Sequence, residues 1–474
     1  MKPLRLLILT VLLSAAFGVQ AQKLAPAPYL CDSMVLQRGM PLPLEGTATP
    51  GSTVEVSFAG HTVTTEADTQ GVWQVTIPAL EASSRNRTME IRSGGETVTI
   101  RDILVGEVWL AGGQSNMAFK VRGMEFDDRL ALIRDADYSD IRCYYRANVV
   151  SGGKLLDTSD RPWSGAYGRS IYDWSAVAYL FARELHRELG VPVGIVNCSH
   201  GGSTAEAWIS PEAFASDPAL KAAVGKVYDG IGSHYKNPSV LYEKMLARFR
   251  GLTVRGVIWY QGESNGYFPE QYATLFPGLI ADWRRFFGND NLPFIFAQLP
   301  SYRVPGDKSG ERWARLRQSQ LNTARTVPHT AMVVTADCGD AENIHPKNKY
   351  PVGIRFAAAA KELVYGGKDP GTLTLHGPAS VEGRRVEISV GGIRNGLTLR
   401  GGESGFELRD TEGNWHKADL HIRGNLLELS SAEVPVPTGA RYAWGNVNTL
   451  TIYHKSGLPL PPFTFDTELK TKKR

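Results

Sequence analysis

The sequence predicts an α/β protein with a central parallel sheet and β-rich segments at both ends. Short apolar runs that do not alternate recur over residues 105–366, and helical patterns separate them, as in a sheet covered on both faces. Before and after this region the apolar residues alternate with polar ones, which is typical of half-buried strands. We therefore predict a central α/β domain over 105–366 between β segments at 22–104 and 367–474.

Within the central region, the apolar runs predict strands at 105–111, 193–198, 254–260, 294–299 and 331–336. The clearest helix is predicted over 174–189, with Asp173 as its N-cap and Gly190 at its end. In the flanking segments, alternation predicts strands at 53–58, 72–77, 386–390 and 426–429, among others. The first flanking segment is expected to form a small β-sandwich-like unit, and the last a second β module.

Residues 1–21 have the three parts of a secretory signal peptide. Lys2 and Arg5 precede an apolar run, and Val19-Gln20-Ala21 provides a small-residue cleavage site. The run is too short to span a bilayer, and no later stretch is long enough. We expect export to the periplasm or the extracellular space without a membrane span.

Charge and cysteine content exclude several classes of protein. The 474 residues carry a net charge of +4, and removing the leader takes away two of the positive charges. So small a charge, with no basic stripe, argues against a nucleic-acid partner. The spacing of the four cysteines fits neither a dense disulfide scaffold nor a zinc site. The sequence contains no signal for an oligomeric state.

Reactive residue types follow four of the predicted strands, in segments 112–117, 199–203, 261–265 and 337–346. Because the carboxyl ends of parallel strands meet at one edge of a sheet, these segments are expected to converge. Glycines there allow a side chain to stand clear of the backbone and allow N–H groups to approach an oxyanion.

These segments contain what an acyl-transfer site needs. Ser115 is the candidate nucleophile and His345 its base. The backbone N–H groups of Ser115 and Gly202 and the side chain of Gln261 are candidate oxyanion donors. Two further residues, Glu263 and Asn265, are expected to support the site by organising their loop.

Four blocks in these segments, GQSNM, GGS, QGESN and IHPKNK, carry a resemblance to a known family. In this order they resemble the signature blocks of sialate O-acetylesterases and related acetylxylan esterases of the SGNH hydrolase superfamily. The resemblance implies a flavodoxin-like three-layer α/β/α domain, a serine nucleophile at Ser115 and a base at His345. It also implies that neither a metal nor an organic cofactor takes part.

The acid that orients His345 departs from the superfamily pattern. Glu342 occupies the position three residues before the histidine where the superfamily usually has Asp. Many relatives in this branch have Asp two residues before the histidine, where this chain has Asn343. Glu342 is the first candidate and Asp340 the alternative, and a Ser–His dyad without an acid is a third possibility.

A second serine competes with Ser115. Residues 262–266 fit the G-x-S-x-G nucleophile pattern with Ser264 at its centre, and the segment 200–203 resembles the oxyanion loop of some lipases. We favour Ser115, because the alternative leaves the GQSNM turn without a chemical role. In that fold, moreover, the acid and the histidine usually lie on separate loops.

The substrate we favour is an O-acetylated sialic acid, and acetylated xylan or another acetylated glycan is the alternative. Aromatic side chains that could contact a sugar are Trp163, Tyr167, Trp208, Tyr260 and Tyr267, although core packing is the simpler interpretation of each. Lys347 and Arg169 could meet a sugar carboxylate.

Two other functional classes remain open on the sequence. A glycosidase would pair Glu263 with Asp337, Asp340 or Glu342. A glycan-binding protein without catalysis could use the two β segments.

Overall fold

The computed structural model describes residues 23–227, 234–393 and 395–469, so the predicted leader lies outside the described residues. The first eight strands form the N-terminal segment: β1 Ala25–Pro26, β2 Val35–Gln37, β3 Leu42–Thr47, β4 Thr53–Phe58, β5 His61–Glu66, β6 Val72–Ile77, β7 Ser83–Ser93 and β8 Glu96–Gly113. β4 and β6 match two of the predicted strands. Along β4 the valines and Phe58 are buried while alternate residues are not, as a half-buried strand requires.

Strand β8 joins the N-terminal segment to the central sheet. Its first part pairs with β7 and β2, and its last part pairs in parallel with two later strands. The predicted boundary between residues 104 and 105 therefore falls inside one continuous strand. The two regions share a sheet of 11 strands.

In its described residues the central region adds six strands: β9 Asp137–Ser151, β10 Lys154–Tyr167, β11 Val193–Ser199, β12 Gly256–Tyr260, β13 Phe294–Ala297 and β14 Thr330–Val333. The order along the sheet is β10-β9-β11-β8-β12-β13-β14. Every pair from β9 to β14 is parallel, and β10 is an antiparallel edge strand. The long β9–β10 hairpin was not among the predicted strands, and β14 stops three residues before its predicted end.

Nine α-helices accompany these strands in the described residues: α1 Ser115–Ala118, α2 Phe126–Asp135, α3 Ala176–Leu189, α4 Pro211–Ser216, α5 Pro218–Ala222, α6 Val240–Lys244, α7 Pro269–Phe286, α8 Arg312–Thr326 and α9 Tyr350–Tyr365. Successive residues of β8 point to opposite faces of the sheet. Val108 and Leu110 join the apolar cluster that contains α7 and α8. Trp109 and Ala111 join the cluster that contains α3 and α9. Both faces of the sheet are thus covered by helices.

The cap predicted for α3 is wrong by two residues. Ser175, not Asp173, is the N-cap, and its hydroxyl accepts a hydrogen bond from the Ala178 N–H at 3.1 Å. The Asp173 carboxylate instead pairs with Lys120 at 3.3 Å and with Arg122 at 3.0 Å. Gly190 ends the helix in the left-handed conformation, as predicted.

As far as residue 469, and apart from residue 394, the C-terminal segment contains ten strands: β15 Thr374–Glu382, β16 Arg385–Gly391, β17 Leu397–Leu399, β18 Phe406–Arg409, β19 Trp415–Lys417, β20 Asp419–Arg423, β21 Leu426–Ser430, β22 Gly439–Tyr442, β23 Ile452–His454 and β24 Phe463–Leu469. Eight of them form one sheet, and β15 and β24 of this sheet pack against α8. The second β module therefore rests on the central domain. In the described part of the chain, no helix is long and apolar enough to cross a membrane.

Candidate active site

Ser115 stands at the point where β8 turns into the short helix α1. Gly113 makes this turn possible, with a φ of +128° that a residue with a side chain rarely adopts. A Cβ at Gly113 would lie 2.2 Å from the carbonyl oxygen of Tyr260 on the neighbouring strand, so the close approach of the two strand ends also requires glycine. As the first residue of α1, Ser115 has a backbone N–H without an intrahelical acceptor.

His345 lies in the loop between β14 and α9, half-buried beside the serine. Its Nε2 is 2.7 Å from Ser115 Oγ, a hydrogen-bond distance. Burial, together with the positive charge of Lys349, lowers the pKa of His345 below its usual value of 6.5. The imidazole is therefore neutral at pH 7, as a general base must be before it accepts a proton.

The pair opens into a cavity of about 770 Å³. Residues from the four predicted strand-end segments line it, among them Ser115, Gly202, Glu263, Asn265 and His345. The structure thus brings together most of the residues predicted for the site. Gly202 has a φ of +73°, and the loop that holds it comes close to the nucleophile, since a Cβ on Gly201 would lie 3.7 Å from Ser115 Cβ.

The contacts of Gln261 do not fit its predicted role as an oxyanion donor. It is fully buried, and its Nε2 donates to the Ser203 carbonyl at 3.2 Å and to Asn265 Oδ1 at 2.7 Å. Its Oε1 accepts from the Tyr272 hydroxyl at 3.0 Å. Both amide hydrogens are used within the fold, so Gln261 holds Asn265 rather than facing the cavity.

Neither candidate acid reaches His345. The Glu342 side chain is 72% exposed and pairs with Arg303 at 3.0 Å. The Asp340 carboxylate accepts the N–H groups of Glu342 and Asn343 and so closes the local turn. Among the described residues, no carboxylate is hydrogen-bonded to His345.

A buried polar network that the sequence reasoning missed lies behind the pair. Asn116 Nδ2 donates to Glu263 Oε1 at 2.6 Å and to the Ile344 carbonyl at 3.0 Å. Lys349 Nζ donates to Asn116 Oδ1 at 2.6 Å. Asn116 and Lys349 both belong to the quoted blocks GQSNM and IHPKNK, so a signal was present in the sequence, but it did not indicate that the two residues meet.

Burial shifts both charged members of this network toward their neutral forms. It lowers the pKa of Lys349 to about 7, although the negative charge of Glu263 acts in the opposite direction. It raises the pKa of Glu263, against the hydrogen bond from Asn116. Glu263 Oε2 is buried and has no hydrogen-bond partner in the described residues.

The competing serine lines the same cavity, but in the described residues no base is hydrogen-bonded to its hydroxyl. The backbone N–H of Ser264 donates to Gln114 Oε1 at 3.2 Å, and the imidazole of His345 is bonded to Ser115 instead. The geometry therefore favours Ser115 over Ser264.

Most of the aromatic candidates belong to the core. Trp163, Trp208 and Tyr260 are at most 5% exposed, whereas Tyr267 is 64% exposed and lines the cavity together with Phe268. Tyr167 is exposed but does not line it.

The cations at the cavity differ from those considered from the sequence. Lys347 pairs with Glu125 at 3.5 Å, and Arg169 stacks on Tyr172. Neither lines the cavity, whereas Lys226 and Lys236 do. Both lysines lie on connecting loops, where sequence pattern gives no indication of which way a side chain faces.

The carboxylate pairs predicted for a glycosidase do not meet at the cavity, although a second buried carboxylate, that of Glu206, lines it with Glu263. Of the four predicted for that role, Glu263 alone lines it. Asp337 is held by Arg355 through two hydrogen bonds of 2.6 and 2.7 Å. Within the described ranges, no group of three or more His, Cys, Asp or Glu residues is arranged to hold a metal ion.

Comparison with known proteins identifies the family. Residues 105–362 match the family model "Carbohydrate esterase, sialic acid-specific acetylesterase". A carbohydrate acetylesterase of known structure from Xanthomonas citri is 31% identical, with a TM-score of 0.82 over 93% of this chain and 100% of that one. The sialate O-acetylesterases of Rattus norvegicus and Homo sapiens are 28% and 29% identical, over 92% of this chain and 93% and 91% of theirs. The chain therefore belongs to the sialic acid-specific acetylesterase family of carbohydrate esterases and is a carbohydrate O-acetylesterase of the serine type.

Proposed function

We propose that the enzyme removes acetyl groups from O-acetylated sialic acids by acyl transfer through Ser115 and His345. The observation that carries the proposal is the 2.7 Å contact between Ser115 Oγ and His345 Nε2 at a cavity of about 770 Å³. A cavity of this size accommodates a sugar ring with its acetyl group.

The reaction proceeds in two steps. His345 Nε2 takes the hydroxyl proton as Ser115 Oγ attacks the acetyl carbonyl, and the sugar oxygen leaves with that proton. Water then attacks the acetyl-serine, with His345 again as base, and acetate is released. The backbone N–H groups of Ser115 and Gly202 are the proposed donors to the oxyanion of each tetrahedral intermediate.

Two lysines at the cavity support an anionic sugar over a neutral one, whereas the carboxylates that line it, Glu206 and Glu263, are buried and accept hydrogen bonds from Asn265 and Asn116. Lys226 and Lys236 line its wall, and a sialic acid carries a carboxylate that these ammonium groups attract. The exposed ring of Tyr267 lines the same cavity and offers an apolar face to the sugar, and the Arg312 guanidinium lies 5.0 Å from the centre of this ring. Acetylated xylan lacks the carboxylate and gains nothing from the two lysines.

Acetate release from O-acetylated sialic acids and from acetylated xylan, measured side by side, tests this choice of substrate. We expect a higher kcat/KM for the sialic acids. The double variant Lys226→Gln, Lys236→Gln should raise KM for them about tenfold, corresponding to about 1.4 kcal/mol of lost attraction, and leave KM for xylan unchanged. A preference for xylan that the double variant does not alter would contradict an anionic substrate.

We further infer that residues 105–366 form a flavodoxin-like SGNH domain of three layers, with β domains at 22–104 and 367–474. The support is the parallel order β11-β8-β12-β13-β14 with helices against both faces. Export under the signal peptide at 1–21, to the periplasm or beyond the cell, belongs to the same proposal and is supported by the composition of that segment.

A further inference from the structure

Asn116 lies at the junction of the two segments that carry the catalytic pair. It directly follows Ser115, and its side-chain amide donates to the carbonyl of Ile344, which directly precedes His345. One amide therefore connects the neighbour of the nucleophile to the neighbour of the base. The side chain is fully buried, so water does not compete for these hydrogen bonds.

The amide is itself fixed from two sides. Its second donor bond goes to Glu263 Oε1 at 2.6 Å, and its oxygen accepts from Lys349 Nζ at 2.6 Å. Both partners are at most 5% exposed. The Lys349 ammonium also lies 4.7 Å from the ring centre of Phe119, which limits its freedom to move. Asn116 therefore has one available orientation.

In other serine hydrolases a carboxylate on the second imidazole nitrogen fixes the orientation of the base. Here the predicted acids point elsewhere, since Glu342 pairs with Arg303 and Asp340 closes a turn. The position of His345 instead depends on its backbone, whose N–H donates to Asn343 Oδ1 at 3.0 Å and whose preceding carbonyl is held by Asn116.

We propose that Asn116, anchored by Lys349 and Glu263, is a positioning residue that keeps Ser115 and His345 at hydrogen-bond distance and replaces the orienting acid. This inference rests on the proposed roles of Ser115 and His345. Asn116 does not line the cavity, so it acts on the geometry of the pair and not on substrate binding. Its loss should lower kcat and leave KM nearly unchanged.

The test compares Asn116→Ala and Asn116→Asp with the wild-type enzyme. Alanine removes all three hydrogen bonds. Aspartate keeps the size of the side chain and the acceptor for Lys349, but an ionised carboxylate cannot donate to the Ile344 carbonyl. We expect kcat to fall about 100-fold in both, because a displacement of about 1 Å in a catalytic pair costs that much, while KM stays within about threefold.

Asn446→Ala is the matched control. Asn446 is also buried and makes two side-chain hydrogen bonds of 2.8 Å, to Trp313 and Asp307, but it touches neither catalytic residue. It should lower the melting temperature and leave kcat per folded molecule unchanged. Glu263→Gln, which retains an acceptor for Asn116, should lose less activity than Glu263→Ala.

Two results would overturn the proposal. One is a wild-type kcat in folded Asn116→Ala, or in Asn116→Asp if the alanine variant does not fold. The other is a rise in KM at unchanged kcat, which would make Asn116 a binding residue. If Ser115→Ala retained activity, the proposed function itself would fail, so the two failures are distinguishable.

Discussion

Two neighbouring loops of this enzyme present a serine after a parallel strand, and in the part of the chain that the structure describes a base is hydrogen-bonded to one of them alone. The loop after β8 carries Ser115, whose hydroxyl lies 2.7 Å from His345 Nε2. The loop after β12 carries Ser264 within a G-x-S-x-G pattern, and its backbone N–H is bonded to Gln114. The difference shows that flanking glycines are enough to expose a serine at a strand end. The base that activates the serine comes from a distant part of the chain.

The two loops also have different roles in the site. The loop after β8 provides the reacting hydroxyl, and the loop after β12 provides the buried groups that support it. Gln261 holds Asn265, and Glu263 holds Asn116. In our account the second loop forms part of the cavity wall and takes no covalent part in the reaction. Variants of Ser115 and Ser264 test this division, and variants of Lys349 and Glu342 test which groups act on the base of the first loop.

The largest expected effect is that of removing one serine hydroxyl and not the other. Ser115→Ala should lower kcat by about 10⁴-fold or more, as in serine hydrolases that lose their nucleophile. Ser264→Ala should keep kcat within about tenfold of the wild type, because that hydroxyl takes no part in the proposed reaction. Acetate release from one acetylated substrate, measured on both variants, checks the prediction, and the reverse order of activities would refute the division.

An intermediate effect is expected in the pH dependence. Because the pKa of His345 is lowered, the neutral imidazole persists on acidification, and the midpoint of the acid limb of kcat/KM should lie below pH 6.5. Lys349→Met removes one of the two causes of the lowered pKa, so the acid limb should move to higher pH. Profiles of acetate release for both proteins provide the measurement, and an acid limb that stays in place would exclude an influence of Lys349 on His345.

The smallest effect is expected at the predicted acid. Glu342→Ala removes an exposed carboxylate that pairs with Arg303, and such surface pairs contribute little. We expect kcat to change by less than about threefold and the acid limb to stay in place. A loss of about 10⁴-fold, as in a triad that loses its aspartate, would show that Glu342 orients His345 during the reaction.

Much of the fold follows from local pattern. The apolar runs located the central strands because a strand buried on both faces must be apolar throughout. The domain boundary predicted after residue 104 does not coincide with the end of a strand. Strand β8 belongs to both regions, and its alternating part continues into its apolar part without a turn. The β9–β10 hairpin lacks a clear alternation and was missed.

The site was predictable where it depends on strand ends and less so where it depends on loops. Ser115, Gly202 and Asn265 follow strands and line one cavity, as parallel topology requires. Glu342 was assigned by its spacing from His345 and Gln261 by its place directly after a strand, and neither determines where a side chain points. The position of Lys226 and Lys236 at the cavity is known only from the folded structure, because both residues lie on loops.

The central claim is that Ser115 carries the acetyl group between the two steps. Acid quenching during turnover of an O-acetylated sialic acid, followed by peptide mass spectrometry, measures this directly. The account predicts an acetyl group on the peptide that contains Ser115, and none on the peptide that contains Ser264. An acetyl group on Ser264, with Ser115 unmodified, would contradict it.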